Sequence, residues 1–256
     1  MAFQENETVY LEDENGQQYW LRISFGMIRA GGLGTIDGSR FRELDDGGAL
    51  TIVGRKFWVF RPGVYELMNS LDRGAQIITP KDAAAILLEC DIKSGDTVLE
   101  VGAGSGGLTT ALLHAVAPAG HVHTLELKEL NAEKALKNVR RTGLDAYWSY
   151  QIGDAREAAV KLDRPADALT MDMPDPENAL ANLGPHLREG GRLCAYVPNA
   201  NQLEKVVLAL RDNGYADVHS WEILQRGMEV HPGGVRPSFE MLGHTGYLTF
   251  ARKRAV

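Results

Sequence analysis

Val98-Leu99-Glu100-Val101-Gly102-Ala103-Gly104-Ser105-Gly106-Gly107 decides the fold. An apolar, β-branched run ends beside an acid and breaks into a glycine-rich turn, and the helix-forming stretch Leu108–Val116 follows. Glycines at a strand-to-helix turn let the backbone approach a ligand closely, and a carboxylate about 20 residues further on can hold a ribose diol. Glu126, near the end of the apolar run His121–Leu127, stands at that spacing. The pattern implies a ligand that carries an adenosine and leaves open which one.

Outward from the turn, strand and helix signals alternate. Strands are expected over 97–103, 121–127, 148–153, 166–173 and 191–198, and helices over 108–116, 129–141, 155–161, 178–187 and 202–213. Such alternation builds a mostly parallel sheet with helices on both faces. The end differs: Val218–Leu224 and Gly246–Ala251 are both strand-like, and the Gly- and Pro-rich Arg226–His244 between them predicts a hairpin and an antiparallel finish. Upstream, residues 1–70 are β-rich. Val9-Tyr10-Leu11 and Tyr19-Trp20-Leu21-Arg22-Ile23 flank Asp13-Glu14-Asn15-Gly16, and a second strand pair flanks Gly54-Arg55-Lys56. Short strands joined by Gly/Asn turns suggest a small barrel or sandwich, serving either packing and oligomerisation or substrate docking. The expected class is α/β: a Rossmann-like, doubly wound sheet with an antiparallel last strand in residues 71–256, plus a small β-rich N-terminal domain, 1–70.

The 256 residues, 44% hydrophobic and 24% charged, fit a soluble globular chain. No run approaches the roughly 20 apolar residues of a membrane span. The polar N-terminus has no signal-peptide pattern, and Cys90 and Cys194 are too far apart for a metal spacing, so a cytoplasmic protein with free thiols and no metal is expected. The net charge of −7 counts mildly against nucleic acid as a partner. Net charge says little about local patches, which subunit assembly can gather on one face.

The glycine turn also satisfies the dinucleotide pattern GxGxxG. Three features favour S-adenosylmethionine over NAD. Glu100, just before the glycines, suits a cationic ligand and repels a pyrophosphate. Asp154, in Gln151-Ile152-Gly153-Asp154-Ala155, adds a carboxylate at the sheet edge where ligands bind. The antiparallel finish matches the sheet of methyltransferases that use this donor. Each acid also has a structural role open to it: Glu126 as a solvated strand end, Asp154 as a helix N-cap, Glu100 as the partner of a nearby cation.

Met171-Asp172-Met173-Pro174-Asp175-Pro176 ends the fourth strand of the alternation, with prolines that hold the following backbone extended. In this architecture that position faces the transferred methyl. The Asn/Asp-Pro-Pro-aromatic motif of exocyclic-amine methyltransferases is not present.

The chain resembles the tRNA (adenine-58-N1)-methyltransferases of archaea and bacteria over nearly its whole length. The resemblance rests on the β-rich start, Arg73-Gly74-Ala75-Gln76-Ile77-Ile78 with Pro80-Lys81-Asp82, the glycine turn, Asp172-Met173-Pro174, and Tyr196-Val197-Pro198-Asn199. It continues in Arg226, Arg236-Pro237 and Gly243-His244-Thr245-Gly246-Tyr247-Leu248. It implies methyl transfer from S-adenosylmethionine to N1 of adenine 58, with 57 as a possible second target, in the T loop of tRNA. It further implies a homotetramer, without membrane or metal. The site implied comprises Asp172 as the catalytic group. Gln76, Glu100, Gly102, Gly104, Ser105, Gly106, Gly107, Leu108, Glu126, Asp154, Ala155 and Asp172 are expected at the cofactor, and Tyr196, Asn199, Arg226, Arg236 and His244 at the RNA. Tyr196 is expected as a wall for the flipped base, with a core aromatic as the other reading. Arg55, Lys56, Arg61 and Arg73 are candidates for a basic surface gathered across subunits. Two positions depart from the family pattern: Thr79 and Met228 stand where some members carry an aromatic residue and Trp. The competing readings are a methyltransferase acting on a protein or small molecule and a catalytically idle scaffold subunit, which an intact turn and Asp172 disfavour.

Overall fold

The computed structural model describes residues 1–71 and 78–255, and the chain divides into two compact units, Met1–Leu67 and Met68–Val256.

The first unit is built of three hairpins. β1 (Thr8–Asp13) and β2 (Gln18–Arg22) turn at Asn15-Gly16, where the Asp13 carboxylate accepts the backbone N–H groups of Asn15 and Gln17 at 3.0 Å each. β3 (Met27–Ala30) pairs with β4 (Gly34–Asp37). β5 (Ala49–Ile52) and β6 (Arg55–Phe60) are joined by Val53-Gly54, both at positive φ, as a two-residue hairpin loop requires. The order β2-β1-β6-β5 leaves β2 and β5 as edges, so the sheet is open and not a barrel. Alternation turns Val9, Leu11, Leu21, Phe57 and Val59 to a core shared with Ile28 and Ile36 of the β3–β4 ribbon, which is sandwich-like packing. Helix α1 (Val64–Asn69) follows.

In the second unit, α2 (Pro80–Glu89) precedes β7 (Thr97–Val101), α3 (Gly107–Val116), β8 (His121–Glu126), α4 (Glu129–Val139) and β9 (Trp148–Ile152). Then come β10 (Ala166–Asp172), α5 (Leu180–Leu183), β11 (Leu187–Val197), α6 (Ala200–Asp212) and β12 (Ala216–Glu222). The exposed hairpin β13 (Met228–His231)–β14 (Gly234–Pro237) and β15 (Tyr247–Arg252) complete the unit. The seven-stranded order is β12-β15-β11-β10-β7-β8-β9, parallel from β11 to β9, with β15 antiparallel to both neighbours, as the strand-like pair at the chain's end predicts. Every residue of β7 is buried, the signature of a strand covered on both faces. Leu169, Met171, Leu193 and Val197 pack with Val206 and Leu210 of α6; truncating one such Leu to Ala costs about 2–5 kcal/mol. Chain order reverses between β7 and β10, the place where open α/β sheets form their ligand crevice.

Two expected helices differ. Residues 155–161 form a single turn at 155–157 and then no helix, because Ala158, Val160 and Leu162 reach the core at alternate positions, a period of two rather than 3.6. The expected 178–187 helix breaks into 3-10 turns, Pro176–Ala179 and Gly184–His186, around α5; Gly184-Pro185 interrupts the ladder. Among the described residues no helix is long and apolar enough to cross a membrane.

Candidate active site

The turn closes over the carboxyl ends of β7 and β10. Gly102 has φ +87°, and a Cβ there would lie 2.1 Å from the carbonyl oxygen of Asp172, so only glycine lets the turn pass the end of β10. Gly106, at φ +82°, begins α3 from the left-handed region, against Ala135 of α4.

Glu126, at the end of β8, fixes this turn. Its Oε2 accepts the N–H groups of Ala103 (2.9 Å) and Gly104 (3.2 Å), and its Oε1 accepts Lys128 N–H (2.9 Å) and Asn131 Nδ2 (3.2 Å). It is therefore no solvated strand end. These four hydrogen bonds fill the roughly four lone-pair sites of the carboxylate, so a ribose diol reaches Glu126 by displacing one of these donors. Asp154 follows β9; Arg156 holds it through side-chain and backbone hydrogen bonds, which lower its pKa to about 2. It is ionised at every working pH.

Asp172 ends β10 and has no hydrogen-bond partner among the described residues. Burial, and then the charge of Glu126, push its carboxyl up to about 7. Glu126, Asp154 and Asp172 line one cleft of about 370 Å³ with Gly102, Gly104 and Ala155, large enough for a small cofactor. Leu127, Lys128, Asn131, Arg156, Met173, Pro174 and Asp175 are also part of its wall. The sequence reading missed these, although each lies within a few positions of an acid it singled out.

Glu100 is placed differently from expectation. It is fully buried beneath α3 and does not line the cleft. Thr109 donates to its Oε1 (3.0 Å) and Oε2 (2.8 Å), and Thr124 donates to Oε2 at 2.6 Å; Trp148 Nε1 in turn donates to Thr124. Glu100 thus joins β7, β8 and α3 rather than touching a ligand. Ser105, Gly106, Gly107 and Leu108 also lie behind the turn, buried in the start of α3. Gln76 falls outside the described residues.

The residues expected at RNA do not converge on the cleft. Tyr196 is buried; its hydroxyl donates to Thr245 O at 2.6 Å, and Gly246 packs so closely on its ring that a Cβ there would fall 2.4 Å away. Burial pushes the phenol up to about 12, and its position under the tail is that of a core aromatic, not a wall. Asn199 caps α6, its Oδ1 accepting Gln202 N–H at 3.0 Å. Arg226 donates to Ser238 O, and Arg236 is ion-paired across the hairpin with Glu229 and lies over the Phe239 ring. His244 contacts Glu222 Oε1 through Nδ1 (2.7 Å) and Pro198 O through Nε2 (2.8 Å). Arg55 and Arg61 are neutralised within the first unit by Asp13 and Glu7, and Arg73 lies outside the described residues.

Two motifs 164 residues apart do meet. Lys81 Nζ donates to Asp82 Oδ1 and to Thr245 Oγ1, both at 2.7 Å, while Thr79 Oγ1 donates to the fully buried Asp82 at 2.8 Å. Thr79 thus serves this polar knot. The departure at Met228 is an exposed hairpin residue. No three His, Cys, Asp or Glu side chains group as metal ligands among the described residues.

Residues 59–235 match the family described as tRNA methyltransferase complex GCD14 subunit. Over 269 residues the chain is 33% identical to the tRNA (adenine(57)-N(1)/adenine(58)-N(1))-methyltransferase TrmI of Methanocaldococcus jannaschii, covering 94% of this chain and 93% of that protein. It is 30% identical over 249 residues to the tRNA (adenine(58)-N(1))-methyltransferase TrmI of Thermus thermophilus, covering 95% of each. Among solved structures it is similar to the tRNA (m1A58) methyltransferase TrmI of Aquifex aeolicus (26% identity, TM-score 0.79, all of both chains). It is also similar to a SAM-dependent O-methyltransferase of Thermotoga maritima (28% identity, TM-score 0.87, 100% of this chain and 96% of that one).

Proposed function

The chain belongs to the tRNA (adenine-58-N1)-methyltransferase family, and from that membership and the cleft we propose that it methylates N1 of adenine 58 in the T loop of tRNA, with S-adenosylmethionine as donor. The cleft fits such a donor. Gly102 and Gly104 let it approach the backbone, Glu126 accepts from a ribose diol once one of its four protein donors gives way, and the acids Glu126, Asp154, Asp172 and Asp175 outnumber the cations Lys128 and Arg156, which suits a cationic ligand. When bound, S-adenosylmethionine supplies a methyl group activated by its sulfonium.

The observation that carries the assignment of roles is Asp172: a half-buried carboxylate without a partner among the described residues, at the mouth of the cleft, touching the glycine turn through its own carbonyl. N1 of neutral adenine has a free lone pair, so the reaction needs no strong base. The ionised Asp172 accepts a hydrogen bond from the N6 amino group, aligns N1 and stabilises the positive charge that grows on the ring. N1 lies on the Watson–Crick edge, so the base must leave its stack to reach the cleft. Incubation with methyl-labelled donor and unmodified tRNA transcript, followed by nucleoside analysis, tests this. We expect 1-methyladenosine, lost in a transcript with guanosine at 58; any residual signal then reports position 57. A methylated hydroxyl or a different base contradicts the assignment.

We also propose a cytoplasmic homotetramer. Val230, Val235, Phe239 and Leu242, on and just beyond the β13–β14 hairpin, are all more than 60% exposed, and such apolar patches mark association surfaces. Light scattering on the intact chain reads its mass; a monomer at micromolar concentration rules assembly out.

A further inference from the structure

Asp154 lines the cleft with its acceptor sites already taken. Its Oδ1 accepts the backbone N–H of Arg156 and its Nε, both at 2.9 Å. Its Oδ2 accepts Nε at 3.1 Å and a terminal nitrogen of the same guanidinium. A carboxylate offers about four lone-pair sites, so a ligand that donates to Asp154 must displace the Arg156 side chain. A displaced guanidinium keeps its charge at every working pH, and another acid in the cleft is its natural partner.

Asp175 is that acid. It lines the same cleft as Asp154 and Arg156. It stands at the N-cap of the Pro176–Ala179 turn, where an Asp side chain ordinarily accepts from the backbone that follows, yet it makes no such hydrogen bond. The backbone gives the reason. A capping residue is extended, whereas Asp175, between Pro174 and Pro176, has φ +52° and ψ +55°. This left-handed conformation is rare outside glycine, Asn and Asp, and such strain gathers at ligand sites. Topology sets Asp175 and Arg156 opposite each other. The order β10-β7-β8-β9 places two strands between β10 and β9, so the segments that follow them reach the cleft from its two sides. The acids that hold the Arg156 guanidinium above its ordinary pKa are Asp154 first, then Glu157 and Asp175.

We propose that Asp175 is the second seat of Arg156: when a ligand takes Asp154, the guanidinium crosses to Asp175, and the new ion pair latches the cleft over that ligand. The proposal rests on the reading of the cleft as the S-adenosylmethionine site. Arg156 and Asp175 are positioning residues in this account. One ion pair is exchanged for another, so the ligand gains Asp154 without stranding a charge, and the exchanged pair slows its escape.

The test is the dissociation rate of labelled S-adenosylmethionine from the intact chain, chased with unlabelled donor. Asp175→Asn keeps a residue that tolerates the left-handed backbone. It is expected to speed dissociation about fivefold, the scale of one exposed ion pair, at the wild-type unfolding temperature. Asp175→Gly, equally suited to that backbone, should give the same rate and covers a failure of the Asn variant to fold. In an Arg156→Gln background, Asp175→Asn should change nothing further, because the partner is gone. Wild-type dissociation in both Asp175 variants overturns the latch. An undiminished effect of Asp175→Asn in the Arg156→Gln background also overturns it, and makes Asp175 a direct contact of the donor. Calorimetry on the wild type keeps the two readings apart: donor binding with a silent Asp175 sinks the latch alone, and no donor binding at all sinks the S-adenosylmethionine reading together with the latch.

Discussion

The region beneath α3 holds a fully buried acid and the mouth of the cleft a half-buried one, on neighbouring strands of one sheet. Burial raises both Glu100 and Asp172 to about 7. Their surroundings differ in one respect. Glu100 accepts from the Thr109 and Thr124 hydroxyls, in a network extended by Trp148, and Asp172 accepts from nothing among the described residues. A satisfied buried acid ties elements together, while one at a cleft that the protein leaves unpaired is free to accept from a ligand that donates to it. Partner count, not pKa, separates scaffold from chemistry here.

The largest effect tests the cleft side. Asp172→Ala is expected to lower kcat about 10²–10³-fold with the unfolding temperature nearly unchanged. In the wild type kcat should rise with pH through about 7, as Asp172 ionises, and Asp172→Asn should flatten that limb. Next comes the wall the two regions share. Gly102→Ala puts a Cβ against the Asp172 carbonyl and should cost about 3 kcal/mol of stability, together with a clear loss of S-adenosylmethionine affinity by calorimetry.

On the scaffold side, Glu100→Ala strands two buried threonine hydroxyls and should cost about 2 kcal/mol, lowering the unfolding temperature by roughly 4–8 °C, while kcat of the folded fraction survives. Its pH dependence has a definite sign. A carboxyl raised to about 7 in the fold holds its proton more tightly there than when unfolded, so stability is fully present below the unfolded value and falls as pH rises through about 7. Glu100→Gln should lose less stability than the wild type between roughly pH 5 and pH 8 in parallel thermal melts.

The smallest effect is expected at His244. Its hydrogen bonds to Glu222 and to Pro198 O raise its pKa above 6.5. That stabilisation is present below 6.5 and lost above the raised value, so the gap in unfolding temperature between wild type and His244→Gln should close as pH increases.

Much of the sheet is legible in the sequence because a parallel strand buried on both faces is a short, mainly apolar run, as at 97–101 and 166–172. The antiparallel end is legible because Arg226–His244 holds Gly and Pro where a crossover helix would need helix formers. The stretch 155–161 misleads: its composition suits a helix, but Ala158, Val160 and Leu162 obey tertiary contacts with the core, which local propensity does not report. In the site, Glu126, Asp154 and Asp172 are readable from their places at strand ends. Glu100 is not, because one residue's shift along a strand reverses the face it presents, and its threonine partners lie 9 and 24 residues away. Tyr196 and Asn199 carry family motifs whose local duty is packing and capping.

The most direct measurement compares Asp172→Asn with the wild type in two readings on the same samples: calorimetric affinity for S-adenosylmethionine and single-turnover formation of 1-methyladenosine in unmodified tRNA transcript. Donor affinity close to wild type with methyl transfer slowed about 10²-fold or more is the predicted result. Methyl transfer at the wild-type rate would contradict it and return Asp172 to the scaffold beside Glu100.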